Sequence, residues 1–478
     1  MKKGMTILNK TTNISTPRDR TSILESMPVN QAIWTLAIPT MVAMLIQVIY
    51  NMTDTFFIGK LNNPNMVAAI SLSLPIFMIV QAFGNVFATG GASLISRLLG
   101  KGEREKACRA GAVSFWSSLT VCVFVSLLVF LFVEPILMFC GASENTIGFG
   151  KSYLSIMLLG SPLIGIKMTL AGLLRSEGAT REAMVGLMSG SILNILLDPV
   201  FIFLFDMDVA GAAIATVIGN IVGFMYLLSF YLKKKGIISI SAKYYSFNLR
   251  VYADIFKIGI PASVGMALMS TGFAVANIYA AGFGDDVVAA NGVVMRSSNI
   301  AVMLIMGLGH GCQPLMGYSY GAGLYDRLME VIKRAITIGT VVSGSFAVFF
   351  FFFSDFTIQI FINDPRVIEL GVKIIRLLAL AMPVLGVQVI LMTMFQSLGK
   401  TVESLIISLG RQGLFYIPAL VIFSTSWGFN GFIFALPFAD VVTTILSSTL
   451  FLLMKKKLFD PSKKEKMIEN KCPTFTGI

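Results

Sequence analysis

Long apolar runs separated by short polar breaks set the pattern of this chain from about residue 31 to residue 454. Each run reaches the roughly 20 residues that an α-helix needs to cross a hydrocarbon core. Alternating segments of about ten residues, the mark of a membrane β-barrel, are not seen. The pattern predicts twelve spans: 31–58, 66–90, 108–133, 149–173, 182–205, 209–232, 253–282, 287–318, 331–355, 367–397, 401–425 and 428–454. One run contradicts its own surroundings. SILNILLDPVFIF, residues 191–203, reads as the middle of a span yet carries Asn194 and Asp198 one helical turn apart, with Pro199 directly behind. A carboxylate at bilayer depth costs about 2.5–3.5 kcal/mol on insertion scales, and a proline inside a helix removes a backbone hydrogen bond.

Composition changes the picture only by excluding alternatives. Of 478 residues, 55% are hydrophobic and 13% charged, with a mean hydropathy of +0.80. That excludes a water-soluble globule and makes the lipid bilayer the first partner. A net charge of +12 could suggest nucleic acid, but the basic residues fall in alternate loops. Arg97, Lys101, Arg104, Lys106 and Arg109 follow span 2, Lys233, Lys234 and Lys235 follow span 6, and Lys455, Lys456 and Lys457 follow span 12. The other loops hold Lys60 and Arg366 but also Glu134, Glu144, Asp206, Asp208, Asp285 and Asp286. This distribution is the positive-inside pattern of a multi-pass cell-membrane protein with both termini in the cytoplasm. Residues 1–30 form a polar, basic cytoplasmic segment without the apolar core of a signal peptide, and residues 455–478 a basic, Lys-rich cytoplasmic tail. Five scattered cysteines show no spacing for a disulfide framework or a zinc site.

The chain repeats itself at a spacing of about 220 residues. IPTMVAMLIQ at 38–47 answers IPASVGMALM at 260–269, and PLIGIKMTLAGLLRSEGAT at 162–180 answers PVLGVQVILMTMFQSLGKT at 383–401. Gly211 answers Gly431, and Asn220 answers Asp440. Six spans in each half insert the same way up, so the symmetry axis runs along the membrane normal. The expected layout is an amino-lobe over 31–232, a cytoplasmic linker over 233–252 and a carboxy-lobe over 253–454. Parallel repeats around a central interface are a transporter architecture.

The residues that are costly in a membrane concentrate in the first half. Asp54, with Tyr50 one turn earlier, lies in span 1; Asn194 and Asp198 lie in span 5; Thr216 lies in span 6 and Tyr153 opens span 4. Two carboxylates, an amide and hydroxyls can hold Na⁺, or share a proton between carboxyls whose affinities are pushed apart. Pro39 and Pro199 are expected to kink their helices, and the carbonyl of Ile195, freed by Pro199, can help bind a cation. The second half offers secondary candidates in Gln388, Arg296, Arg411 and Asp440; Asp440 can equally be structural, paired with an arginine. His310, the single histidine, is expected to pack at a span end. Without a readable nucleophile–base pair or a GxxxxGK[ST] loop, neither an enzyme nor ATP coupling is expected.

With NMTDTFFIGKL, GASLISRLLGKGE, RSEGAT, NILLDPVFIF and GAAIATVIGN in place, residues 25–457 resemble the multidrug and toxic compound extrusion (MATE) family. The resemblance implies an all-α, V-shaped pair of six-helix lobes and drug efflux coupled to H⁺ or Na⁺, with no other cofactor. It implies that Asp54, Asn194, Asp198 and Thr216 match an amino-lobe polar cluster, with Tyr50 and Tyr153 beside it. Some members also use acids in spans 7 and 10, where this sequence is read as having none. Amphipathic aromatic cations are the expected cargo, handled by a monomer. A lipid-linked oligosaccharide flippase of the same superfamily is the alternative, but it should gather several arginines in its cavity, and the spans here hold chiefly Arg296 and Arg411.

Overall fold

The computed structural model describes residues 17–61 and 63–458, so residues 1–16 of the amino-terminal segment and 459–478 of the basic tail, with Cys472, lie outside it. A short helix α1 (Pro17–Glu25) precedes α2 (Val29–Gly59), α3 (Pro64–Gly100), α4 (Arg104–Leu131), the short α5 (Val133–Phe139), α6 (Glu144–Ser176), α7 (Thr180–Pro199) and α8 (Asp208–Leu232). The second half holds α9 (Leu249–Phe283), α10 (Asp285–Gly321), α11 (Tyr325–Phe352), the short α12 (Ser354–Gln359), α13 (Pro365–Ser397), α14 (Thr401–Leu409) and α15 (Ile417–Leu458). Eleven helical stretches among the described residues are long and apolar enough to cross a membrane. The last of these runs from Thr401 to Lys456 and breaks at Gly428, whose φ of 59° and ψ of −138° suit only a residue without Cβ. The break yields the twelfth span.

Helical backbone is the only open-chain solution in lipid, because every N–H and C=O must find its partner within the segment. The helix starts use local devices. Asn63 accepts from the amide of Asn65 ahead of Pro64, Asp364 accepts from the amides of Arg366 and Val367 ahead of Pro365, and Ser143 forms a capping box with Thr146. Helix ends also correct one expectation: spans 7 and 10 do contain acids, Asp254 and Glu369. Glu369 is exposed and Asp254 half-buried, and each pairs with a lysine one turn on, Lys373 and Lys257.

Each lobe has its own core. Leu170, Leu173, Leu174, Ile95 and Val113 centre the amino-lobe; Ile375, Leu378, Met382 and Phe350 centre the carboxy-lobe. The lobes meet in the linker-side halves of their helices. Thr40 Oγ1 donates to the Gly307 carbonyl at 2.7 Å, Ser93 donates to the Gln396 carbonyl, and Ser263 donates to the Ala82 carbonyl at 2.9 Å. A Cβ on Gly259 or Gly317 would collide with Val86 or Ser96 across the interface, so glycine and serine let the backbones touch. Beyond the contact between Ser270 and Met78, Phe56 of α2 and Ile278 of α9 are exposed. The linker is pinned by Glu177, whose carboxylate accepts from the amides of Ile237 and Ile238.

Candidate functional site

Helices α7 and α8 cross with their backbones in contact. A Cβ on Gly190 would sit 2.6 Å from the Gly219 carbonyl oxygen, a distance no real side chain tolerates. One turn along from that crossing, the polar residues of the opening puzzle face one another. Asn194 donates through Nδ2 to Asp198 Oδ1 at 3.1 Å and to Thr216 Oγ1 at 3.1 Å. Asn194 is 2% exposed, Asp198 0% and Thr216 5%. A close helix pair is therefore what brings residues 22 positions apart into one cluster.

Two acceptors in this cluster are left open. Asp198 Oδ2 and Asn194 Oδ1 are buried and have no hydrogen-bond partner among the described residues. A buried unpartnered oxygen costs about 1–3 kcal/mol, more for a charged group, so a pair of them marks a place for a proton, a cation or a donor. Asp54, half-buried on α2, faces the same point. Asp54, Asp198, Tyr50 and Tyr153 lie close enough to act on one another electrostatically, and Tyr50 lies beside Thr216. All six amino-lobe residues singled out in the sequence thus converge from α2, α6, α7 and α8.

The proline kink takes a form that the sequence did not indicate. After Pro199 the helix widens into a π-helical turn, Val200–Leu204, in which the Phe205 amide reaches the Val200 carbonyl at 3.0 Å. Helix α2 runs through Pro39 without interruption. The carboxy-lobe has its own π-helical stretch in the matching span, Gly410–Tyr416. There Arg411 Nε donates to Asp440 Oδ1 at 2.7 Å, so Asp440 is ion-paired. Asp440 Oδ2 is buried without a partner, and the pair borders a cavity of about 60 Å³ lined by Met269, Phe273, Ser298, Met382 and Tyr416. Arg296 is exposed and stands apart from that pair. Gln388 is buried with an open Oε1. His310 sits between Gly309 and Gly311, where α10 passes α2, with a buried, unpartnered Nδ1.

Sequence reasoning missed one charged residue. Lys167 of α6 is 7% exposed and its ammonium meets Asn220 Oδ1 at 2.5 Å. Asn220 in turn donates to the Thr216 carbonyl at 2.7 Å. The signal was available as the one lysine in an otherwise apolar run, IGIKMTLAGLL.

Two pseudo-symmetric six-helix lobes with an acidic cluster buried in one of them define a membrane transporter of the two-lobe, parallel-repeat class. Within that class the chain belongs to the MatE family, whose pattern matches it twice, at residues 39–200 and 261–422. The chain is 31% identical over 422 residues to the multidrug export protein MepA of Staphylococcus saprophyticus, covering 88% of this chain and 93% of that one. It is 30% identical over 434 residues to the MepA of Staphylococcus aureus, with 91% and 96% covered. Its fold is similar to that of a solved multidrug resistance MATE family transporter in an outward-facing conformation, with a TM-score of 0.88, 24% identity, and 92% and 98% of the two chains covered.

Proposed function

We propose that this protein is a secondary multidrug efflux transporter that exports amphipathic, mostly aromatic cations across a bacterial cell membrane in exchange for H⁺ or Na⁺. The observation that carries this reading is the pair of open, buried oxygens on Asp198 and Asn194, set beside Asp54 and ringed by Tyr50, Tyr153 and Thr216. An inward-moving cation gains about 2.3 kcal/mol per 100 mV of membrane potential; exporting a monovalent cargo costs the same, so one-for-one exchange is electrically silent and driven by the ion gradient alone. A shared acidic site makes the coupling ion and the cargo competitors, which is the requirement for antiport. The chain's 27 methionines and 38 phenylalanines can supply an adaptable apolar lining, which suits flat aromatic rings of varied outline. The printed names of the staphylococcal relatives favour drug export over transfer of a lipid-linked sugar. The basic linker and the lysines after the last span favour a cytoplasmic position for both termini.

The test is reconstitution into liposomes with a cationic dye inside, imposing a pH gradient and a Na⁺ gradient separately. Dye movement driven by one gradient identifies the coupling ion. Movement under neither, with folded protein, overturns the antiport reading.

A further inference from the structure

Lys167 is the charge that the amino-lobe site leaves unexplained. It lies well inside α6, nearly buried, and the acceptor of its ammonium is a neutral amide, Asn220 Oδ1. Its stem is housed closely: a Cβ on Gly223 would come within 3.1 Å of Lys167 Cδ. A buried ammonium held only by an amide is unfavourable unless negative charge stands nearby. The carboxy-lobe shows how a different arrangement settles the same demand. At the repeat spacing, Lys167 is answered by Gln388 and Asn220 by Asp440, and there the carboxylate has its own arginine, Arg411. The carboxy-lobe pair is therefore neutral in itself, whereas the amino-lobe cation has no ion-pair partner among the described residues.

The site carboxylate Asp198 stands at the far end of one continuous polar chain that begins at Lys167. Lys167 bonds to Asn220, Asn220 to the Thr216 backbone, Thr216 Oγ1 to Asn194, and Asn194 to Asp198. Asn220 stands one helical turn, about 6 Å, from Thr216. With both carboxylates ionised, Asp54, Asp198 and Lys167 sum to a single negative charge; without Lys167 they sum to two. Resting on the transport reading above, we propose that Lys167 is the specificity-determining counter-charge of the amino-lobe site, which fixes its valence at one and makes it select monovalent over divalent organic cations. A unit charge about 10 Å away in an effective dielectric near 20 changes ligand affinity about tenfold for each unit of ligand charge.

The experiment uses purified full-length protein and two dyes that share one aromatic ring system: ethidium, with a single permanent charge, and propidium, with a second charge on its side arm. The quantity read is the ratio of their Kd values in wild type, Lys167→Met and Lys167→Arg. Lys167→Met should shift the ratio about tenfold towards propidium, and Lys167→Arg should leave it where wild type has it. If Lys167→Met does not fold, Lys167→Gln, which installs the side chain found at the matching carboxy-lobe position, is read in the same way. An unchanged ratio in a folded, neutral variant overturns the assignment of Lys167 while leaving the acidic site intact. Unchanged binding of both dyes in Asp54→Asn and Asp198→Asn would instead remove the site itself, and the assignment with it.

Discussion

At the scale of single residues, the two lobes treat their buried carboxylates in opposite ways. Asp198 has an amide and an open oxygen; Asp440 has a guanidinium at 2.7 Å. Amide replacement keeps the shape and removes the charge, so Asp54→Asn and Asp198→Asn are each expected to abolish gradient-driven efflux at undiminished membrane expression. Near-normal dye export by both would dismiss these acids as the coupling groups. Asp440→Asn should reduce efflux less. Arg411→Met, by contrast, leaves a buried carboxylate unpaired, and it should destabilise the fold by about 3–5 kcal/mol. Thermal denaturation in detergent measures this, and adding Asp440→Leu should recover most of the loss; no recovery would show that Arg411 acts through something other than that pair. The acids were legible in the sequence because a charge in an apolar run contrasts with every neighbour. Lys167 offers the same contrast, but its pairing with Asn220, 53 positions away, was not legible, because no local pattern predicts the crossing that joins them.

At the scale of elements, most spans were legible to within about six residues because hydropathy and length are set by the bilayer rather than by packing, whereas α3 runs ten residues past the expected end, to Gly100. The π-helical turns after Pro199 and around Arg411 were not; they are choices of hydrogen-bond register, which composition does not encode. The spacing of α7 and α8 is likewise set by glycine. Gly190 and Gly219 permit backbone contact one turn from Asn194, so Gly219→Val must push the helices apart and stretch the 3.1 Å bond from Asn194 to Thr216. Efflux should fall to the level of Asp198→Asn. Gly292→Ala, where a Cβ meets nothing within 4 Å, should transport as wild type does. Equal transport by the two variants would show that this crossing does not hold the site together. Gly428→Ala tests the last hairpin: its left-handed backbone should cost about 1–3 kcal/mol, visible as a lowered Tm with the site chemistry untouched.

At the scale of the whole molecule, the duplication was legible because equivalent motifs recur at a fixed spacing, and the family pattern matches the same two stretches. How the lobes meet was not legible, since serine and glycine at the interface look like any small residues in a span. The structure shows them pressed together at the linker end. Helix α1 adds to this closure: Ile23 and Leu24 join a core shared with α10, α11 and α13, while Arg20 donates to the Lys235 carbonyl and to Glu182 of α7. A transporter that alternates between two openings must part this closure once per cycle. Ser96 and Gly317 face each other across it: a Cβ on Gly317 would lie 2.9 Å from Ser96 Cβ, somewhat nearer than the roughly 3.5–4.5 Å of a relaxed disulfide. In a background where the native cysteines are replaced, Ser96→Cys with Gly317→Cys should therefore cross-link under mild oxidant. Efflux should stop on oxidation and return on reduction, while dye still binds the locked form from the open side. Full transport by fully cross-linked protein would mean that the lobes never separate there, and that cargo passes by a route other than the opening of this interface.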